Sequence, residues 1–289
     1  MVILRHSATR ADLPGTPERG DDLLEATRRA EQVHFWFKGF RAFVRPLLAD
    51  AVAGIPSPRI LDCGCGTGAN LVMLSEYGQA FGFDLSRQGI QFAHLYGQRR
   101  AAQASITHVP FRDAEFDLVT VFDVLYSLPE RAEAAALEEA FRVLRPGGTL
   151  IVNVAALSIL RGNHSVFGSE VRRSTRRRLR GVLSRAGFEI GRLTYTNFSL
   201  FPLMLAVRSA QRLFGLATPE EAGTDIVVPS VAVNAVLTAL LRAEAGALRR
   251  LDMPIGSSLL SVARKPGPRA AEIRIPVSRR ERAPVRSRP

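Results

Sequence analysis

Trp36, Phe40, Phe43, Leu47 and Ala51 recur every three or four residues. That apolar stripe predicts helical structure from Asp21 to about Ala53. Residues 1–20, with Pro, Gly and mixed charge, read as loose. After a proline break the period shortens, and "SPRILDC" (57–63) reads as a short buried strand. The type then alternates along the chain. "GQAFGFD" (78–84) is strand-like, "SRQGIQFAHLYGQ" (86–98) helix-like and "FDLVTVFDV" (116–124) a strand. "PERAEAAALEEAFRVL" (129–144) is a helix with Pro129 in its first turn and early acids. "RPGG" breaks it, and "TLIVNVAA" (149–156) is a strand. "STRRRLRGVLSRAGF" (174–188) is a helix with Ser174 or Thr175 as N-cap and Gly187 as its stop. "EIGRLTYTNF" (189–198) and "SLLSVARK" (258–265) are further strands.

Helices alternating with nearly continuous apolar strands predict an α/β fold, with a mostly parallel sheet covered on both faces. Between the last two strands the rhythm changes. Residues 193–207 and 226–241 carry no charge, and each stretch contains a proline. Both are shorter than the roughly 18 apolar residues expected of a membrane span. They predict two buried or interfacial helices, forming a lid insertion. No internal repeat interrupts this order.

Composition changes the picture little. The 289 residues are 46% hydrophobic and 23% charged, as in ordinary globular chains. The formal charge of +12 is concentrated. The stretch from Arg264 to Pro289 holds nine basic and two acidic residues, supplying +7 and leaving +5 for the rest. Its Pro- and Arg-rich composition predicts a disordered basic tail over 267–289. A solvated tail is the simpler reading, beside a contact with nucleic acid or acidic lipid. The N-terminus lacks the long apolar core of a signal peptide, which points to a cytoplasmic protein. With two cysteines two positions apart, no disulfide framework is expected.

Candidate chemistry centres on "ILDCGCGTGAN" (60–70), a strand, glycine loop and helix start. A metal site would need four ligands, or three with water, and Cys63 and Cys65 supply two at most. A phosphate-binding P-loop needs a lysine at the end of the motif; the only lysines are Lys38 and Lys265. A dinucleotide loop expects G-x-G-x-x-G, whereas Gly64, Gly66 and Gly68 are spaced as G-x-G-x-G. Asp62 beside the loop would also repel a pyrophosphate. The same acid suits a ligand bearing an ammonium group.

Here the chain resembles the class I S-adenosylmethionine-dependent methyltransferases. "ILDCGCGTG" is similar to their first motif, and "FGFDLS" to their second strand. "FDLVTVFDVLYSL" resembles the fourth strand with its loop, and "ALEEAFRVLRPGGTLIVNV" the helix, turn and fifth strand. "EQVHFWFKGFR", "NFSLFPLMLAVRSAQRLF" and "GSSLLSVARK" resemble segments of one small-molecule subgroup, so the likeness covers about residues 25–266. It implies a Rossmann-like, doubly wound sheet of seven strands, with a methyltransferase domain over 21–266. Within it, 21–56 would be cover helices, 57–155 the cofactor-binding core and 156–266 the substrate side, with the helical insertion at about 197–252.

The resemblance also implies roles. S-adenosylmethionine would be the cofactor. Gly64, Cys65, Gly66 and Gly68 would bring backbone close to it, and Asp62 would meet its ammonium directly or through water. Asp84 would accept from both ribose hydroxyls, Leu85 would pack on the adenine and Asp123 would line the methionine side. Ser105 stands where the family usually has an acid facing the adenine amino group. A hydroxyl accepts less strongly than a carboxylate, so weaker binding is expected. Trp36 and Phe37 either close over the cofactor or pack in the core.

On the acceptor side, Tyr126, Ser127, His164, Glu170 and Tyr195 are candidates, with His164 and Tyr126 as the catalytic pair to test. The subgroup's "HD…GHxRRYT" reads here "HSVFGSEVRRST". Ser165, Glu170 and Ser174 replace an acid, a histidine and a tyrosine, while Arg172 and Arg173 remain. These arginines would bind an anionic substrate or begin a solvated helix. The main expectation is O- or N-methylation of a small, hydrophobic or lipid-linked acceptor. One alternative keeps the bound cofactor but uses it for another reaction or for structure. A nucleic-acid methyltransferase is the other; "FDVLYSLPE" lacks the Pro-Pro-aromatic run of a flipped-base pocket. Peripheral membrane contact through the uncharged helices and basic tail is a further expectation.

Overall fold

The computed structural model describes residues 17–158, 171–213 and 226–267. Seven strands form one sheet in the order β3-β2-β1-β4-β5-β7-β6. They are β1 (Arg59–Cys63), β2 (Gln79–Asp84), β3 (Ala101–Gln103), β4 (Phe116–Phe122), β5 (Leu144–Ala155), β6 (Glu189–Thr196) and β7 (Ser258–Arg264). Strands β1 to β5 pair in parallel, and β7 runs antiparallel between β5 and β6. The described helices are α1 (Pro17–Ala30), α2 (Phe35–Ala51), α3 (Ala69–Leu74), α4 (Arg87–Leu95), α5 (Glu130–Val143), α6 (Arg176–Arg185), α7 (Phe201–Leu213) and α8 (Val231–Leu248).

The strand alternation feeds two cores, one on each face of the sheet. Leu61, Val119, Leu150 and Val152 point to the side covered by α5 and α6, against Leu137, Ala140, Leu179 and Leu183. Ile60, Leu118 and Ile151 point the other way, against Phe43 and Leu48 of α2, Leu71 of α3 and Leu241 of α8. Burying both faces explains why the strands read as apolar runs rather than alternating ones.

Four sequence expectations change. Helix begins at Pro17, inside the stretch read as loose, because proline's fixed φ suits a first turn. The single helical stretch from Asp21 is two helices, separated by a turn at 31–34 that His34 closes by accepting from the Trp36 N–H (3.1 Å). "RPGG" lies within β5 as an irregularity: the register shifts between Phe116 and Leu118, with Gly147 at φ +82°. Strand β3 carried no apolar signal, since two of its three residues are exposed. Thr175 is the cap of α6, accepting from the Arg178 N–H, while Ser174 is buried.

Lys265 closes the end of α5, donating to the carbonyls of Phe141 (2.7 Å) and Leu144 (2.8 Å). A cation there also complements the helix dipole.

Candidate functional site

The parallel order places β1 between β2 and β4; the crossover from β1 to β2 packs α3 on one face of the sheet, and that from β4 to β5 packs α5 on the other. The carboxyl ends of these strands border the crevice where open α/β sheets bind ligands. Residues 64–68 leave β1 there. Gly64 and Cys65 both donate their N–H to the Phe83 carbonyl (2.9 Å each), folding the loop back over the end of β2. Gly64, Gly66 and Gly68 all have positive φ, at +82°, +52° and +84°. At Gly68 a Cβ would stand 2.6 Å from the Ala93 backbone, and at Gly64 it would stand 2.4 Å from the Val124 side chain. Glycine is demanded twice at these positions, by conformation and by space.

Asp62 lies at the root of this loop and is 1% exposed. Its Oδ1 accepts from the Thr120 hydroxyl at 2.7 Å. No basic side chain among the described residues pairs with it. Burial therefore pushes its pKa up to about 7, the Thr120 bond opposing this and the charge of Asp84 adding to it. A buried carboxylate of this kind is ready to receive a cation.

Asp84 ends β2 and holds the loop from the other side. Its Oδ2 accepts from the Gly66 N–H and its Oδ1 from the Ser86 N–H, both at 2.8 Å. Leu85 follows, 55% exposed, leaving an apolar surface beside that carboxylate. Ser105 turns its hydroxyl to Thr107, bonding Oγ1 at 2.9 Å and accepting from the Thr107 N–H at 3.3 Å. Asp123 closes β4 in a left-handed conformation, φ +59°, and its Oδ1 accepts from Asn153 Nδ2 at 2.9 Å. Aspartate tolerates this left-handed conformation, which turns the chain sharply at the end of the strand.

The cysteines are free and buried. Burial raises the pKa of both thiols, which leaves them protonated and inert. Among the described residues no cluster of metal-ligating side chains occurs.

Several contributors escaped sequence reasoning. Glu31, in the turn between α1 and α2, is 3% exposed. It accepts from the Thr67 hydroxyl at 2.6 Å and from the Tyr96 hydroxyl at 2.9 Å, tying the cover helices to the glycine loop. Burial raises its pKa. Nothing in the spacing of residues 31, 67 and 96 foretells this bond. The acid in "EQVHFWF" was the available signal, masked by its aromatic neighbours. Thr120 and Asn153 were hidden inside strands in the same way. Trp36 and Phe37 are half-buried and belong to neither core cluster.

The acceptor-side candidates divide. Tyr126 sits half-buried in the turn Leu125–Ser127 after β4, and its carbonyl accepts from the N–H groups of Val171 (3.0 Å) and Arg172 (3.2 Å). Ser127 donates to the Val124 carbonyl. Tyr195 is a correction: it is 7% exposed and packs in the core beneath the Arg176 guanidinium, because it falls on an inward position of β6. Arg172 is paired with buried Glu133 at 2.9 Å, together with Arg178, which makes it a structural cation. Arg173 donates to the Ala156 carbonyl. His164 and Glu170 lie outside the described residues.

Residues 61–152 match the family model of a methyltransferase domain. A demethylmenaquinone methyltransferase of Lactiplantibacillus plantarum is 34% identical over 107 residues, 32% of this chain and 43% of that protein. A ubiquinone biosynthesis O-methyltransferase of Hahella chejuensis is 28% identical over 150 residues, 47% of this chain and 62% of that protein. The chain thus spans about half the length of these curated relatives. An S-adenosylmethionine-dependent methyltransferase from Thermotoga maritima shares the fold, with a TM-score of 0.54 and 18% identity over 86% of this chain and all of that one.

Proposed function

We infer that this chain, whose residues 61–152 match the family model of a methyltransferase domain, binds S-adenosylmethionine and transfers its methyl group to a small, apolar acceptor. The observation that carries the reading is Asp62, a buried carboxylate with no basic partner among the described residues, at the root of a loop where only glycine fits. The donor set suits the cofactor. Asp62 would face the ammonium, Asp84 the ribose hydroxyls and Leu85 the adenine, with Gly64, Cys65, Gly66 and Gly68 lending close backbone and Ser105 a hydroxyl at the adenine edge. Asp123, oriented by Asn153, borders the methionine side.

When bound, S-adenosylmethionine supplies a methyl group activated by its sulfonium to an in-line nucleophile. The chain's share is positioning and exclusion of water. The loop, Glu31 and Thr67 hold the cover helices over the site, while Tyr126 presents a hydroxyl-bearing ring near the end of β4. His164 is the second group proposed to handle the acceptor's proton. The quinone-pathway names of the relatives and the apolar insertion between β6 and β7 both support a hydrophobic or lipid-linked acceptor. A cytoplasmic location is part of this proposal.

Titration calorimetry with S-adenosylmethionine tests the first half of the proposal. Micromolar binding to the native chain is expected, and no detectable binding overturns it. Labelled methyl groups appearing in a lipid extract test the second half. Binding without any labelled product would favour a cofactor used for other chemistry.

A further inference from the structure

Most large apolar side chains left exposed among the described residues fall between residues 198 and 251. On α7 these are Leu203 (58%) and Val207 (47%); on α8 they are Val231 (88%), Val233 (50%), Val236 (67%) and Leu240 (40%). Single exposed residues of this kind are ordinary, but such a cluster on neighbouring helices is not.

The inner surfaces of these helices are already committed. Asn234 clamps the start of α8 to the cover turn, accepting from the Phe35 N–H and donating to the Val33 carbonyl, both at 2.8 Å. Leu241 packs against Gly39 of α2, so closely that a Cβ there would stand 2.3 Å from it. Glu244, 6% exposed, accepts from the N–H groups of Phe198 and Ser199 at 2.9 Å and ties the entry of α7 to α8. The exposed apolar side chains therefore lie on the faces that α8, docked on α2, and α7, whose entry is tied to α8 through Glu244, turn away from the core.

Neither helix exposes an acid, and just beyond them Asp252 is already paired with Arg192 (2.7 Å). Helix α7 contains no acid, and the one acid of α8 is the buried Glu244. Arg242, Arg249 and Arg250 are exposed at the far end of α8. By length and composition α8 could cross a membrane, with 28% of its residues buried. Crossing would break the Asn234, Leu241 and Glu244 contacts and carry an acid into hydrocarbon, which favours a helix lying in the interface.

We propose that the outer face of α7 and α8 docks on an anionic lipid bilayer. Val233, Val236 and Leu240, which share one stripe of α8, enter the headgroup–acyl boundary, and Arg242, Arg249 and Arg250 reach lipid phosphates with their long side chains. The seat is close to the candidate site: α8 is clamped to the 33–35 turn, and Glu31 beside that turn holds Thr67 of the glycine loop. A lipid-soluble acceptor would then reach the protein from the membrane it rests on. The docking does not depend on methyl transfer, so cofactor calorimetry and vesicle binding fail separately.

Flotation of the full-length chain with vesicles of phosphatidylcholine, alone or enriched in phosphatidylglycerol, tests this. The chain should float with the anionic vesicles. The double variant Val233→Asp with Val236→Asp should bind them at least about tenfold more weakly, with its melting temperature and cofactor affinity unchanged. The basic C-terminal stretch is intact in that variant. Undiminished flotation would therefore place lipid binding elsewhere and overturn the proposal, as would no flotation of the native chain. A concentration-dependent dimer that the double variant abolishes, without vesicle binding, would assign the face to a second copy instead.

Discussion

The glycine loop and the helices α7 and α8, which the sequence predicts as a lid, depart from inside-out order in opposite directions. Around the loop, polar groups are buried: Asp62, Glu31, Thr67 and Thr120 are all at most 4% exposed. On the lid, apolar groups are left in water, with Val231 88% exposed and Val236 67%. Buried polar groups and exposed apolar clusters are the informative deviations in a folded chain. The loop holds a charge that burial disfavours, which a cationic ligand would relieve. The lid holds apolar surface that water disfavours, which another apolar phase would cover. The loop is internally braced by short hydrogen bonds, whereas the lid's inner contacts leave its outer face without a described partner.

The largest expected effect breaks the loop side. Gly68→Val would place a branched side chain at φ +84° against the Ala93 backbone. Overpacking and left-handed strain together cost about 2–4 kcal/mol, so a melting temperature lower by many degrees and loss of cofactor binding are expected from calorimetry and thermal melts.

Asp62→Asn sharpens the distinction between stability and binding. The amide can still accept from Thr120 but carries no charge. Cofactor affinity should fall by about a hundredfold, following the roughly 3 kcal/mol value of a buried charge-assisted bond, while the melting temperature of the unliganded chain at pH 8 holds or rises.

The pH dependence follows from the same carboxyl. Its pKa in the folded chain is about 7, above the ordinary carboxylate value. The folded state therefore holds a proton that the unfolded state has already released. Through this group the unliganded chain loses stability as pH rises from the unfolded pKa to about 7, with no further change above that. Binding of an ammonium runs the other way: affinity should rise up to tenfold per pH unit below about 7 and level off above it. Proton release measured in buffers of different ionisation heat checks this, and Asp62→Asn should abolish it. Thr120→Val removes the bond that favours the charged form, so the midpoint should move upward and affinity at pH 7 should fall by about three- to tenfold.

The smallest effects lie where side chains do no polar work. Cys65→Ala should leave cofactor affinity within about twofold, because the backbone at that position shapes the loop and the thiol is protonated. On the lid, Val236→Asp should change stability by no more than about 0.5 kcal/mol. A large loss in either would erase the contrast between the two regions.

Much of the loop side was legible from sequence because local rules govern it. Alternating glycines after an apolar run, an acid before them and a second acid twenty residues on are separations that one strand–helix–strand step imposes. The segments flanking Pro129, Thr175 and Gly187 were legible for the same reason, since capping and turn preferences act within a few residues. Strand β3 was not, because a short edge strand with exposed side chains carries no periodicity. Tyr195 was misjudged as an acceptor-side group because strand register, not strand position, decides which way a side chain points.

By itself the sequence determined the alternation of the main strands and helices, the glycine loop with Asp62 and Asp84, and two uncharged stretches ahead of the last strand. These follow from backbone propensities and hydrophobic spacing, which are local. Only the tertiary structure decided that Thr120 braces Asp62, that Glu31 reaches Thr67, that Arg172 belongs to Glu133, and that α8 turns Leu241 inward and Val236 outward. Each of these joins residues far apart in the chain or selects one face of a helix, and pairing across the fold is set by packing rather than by any short stretch of residues.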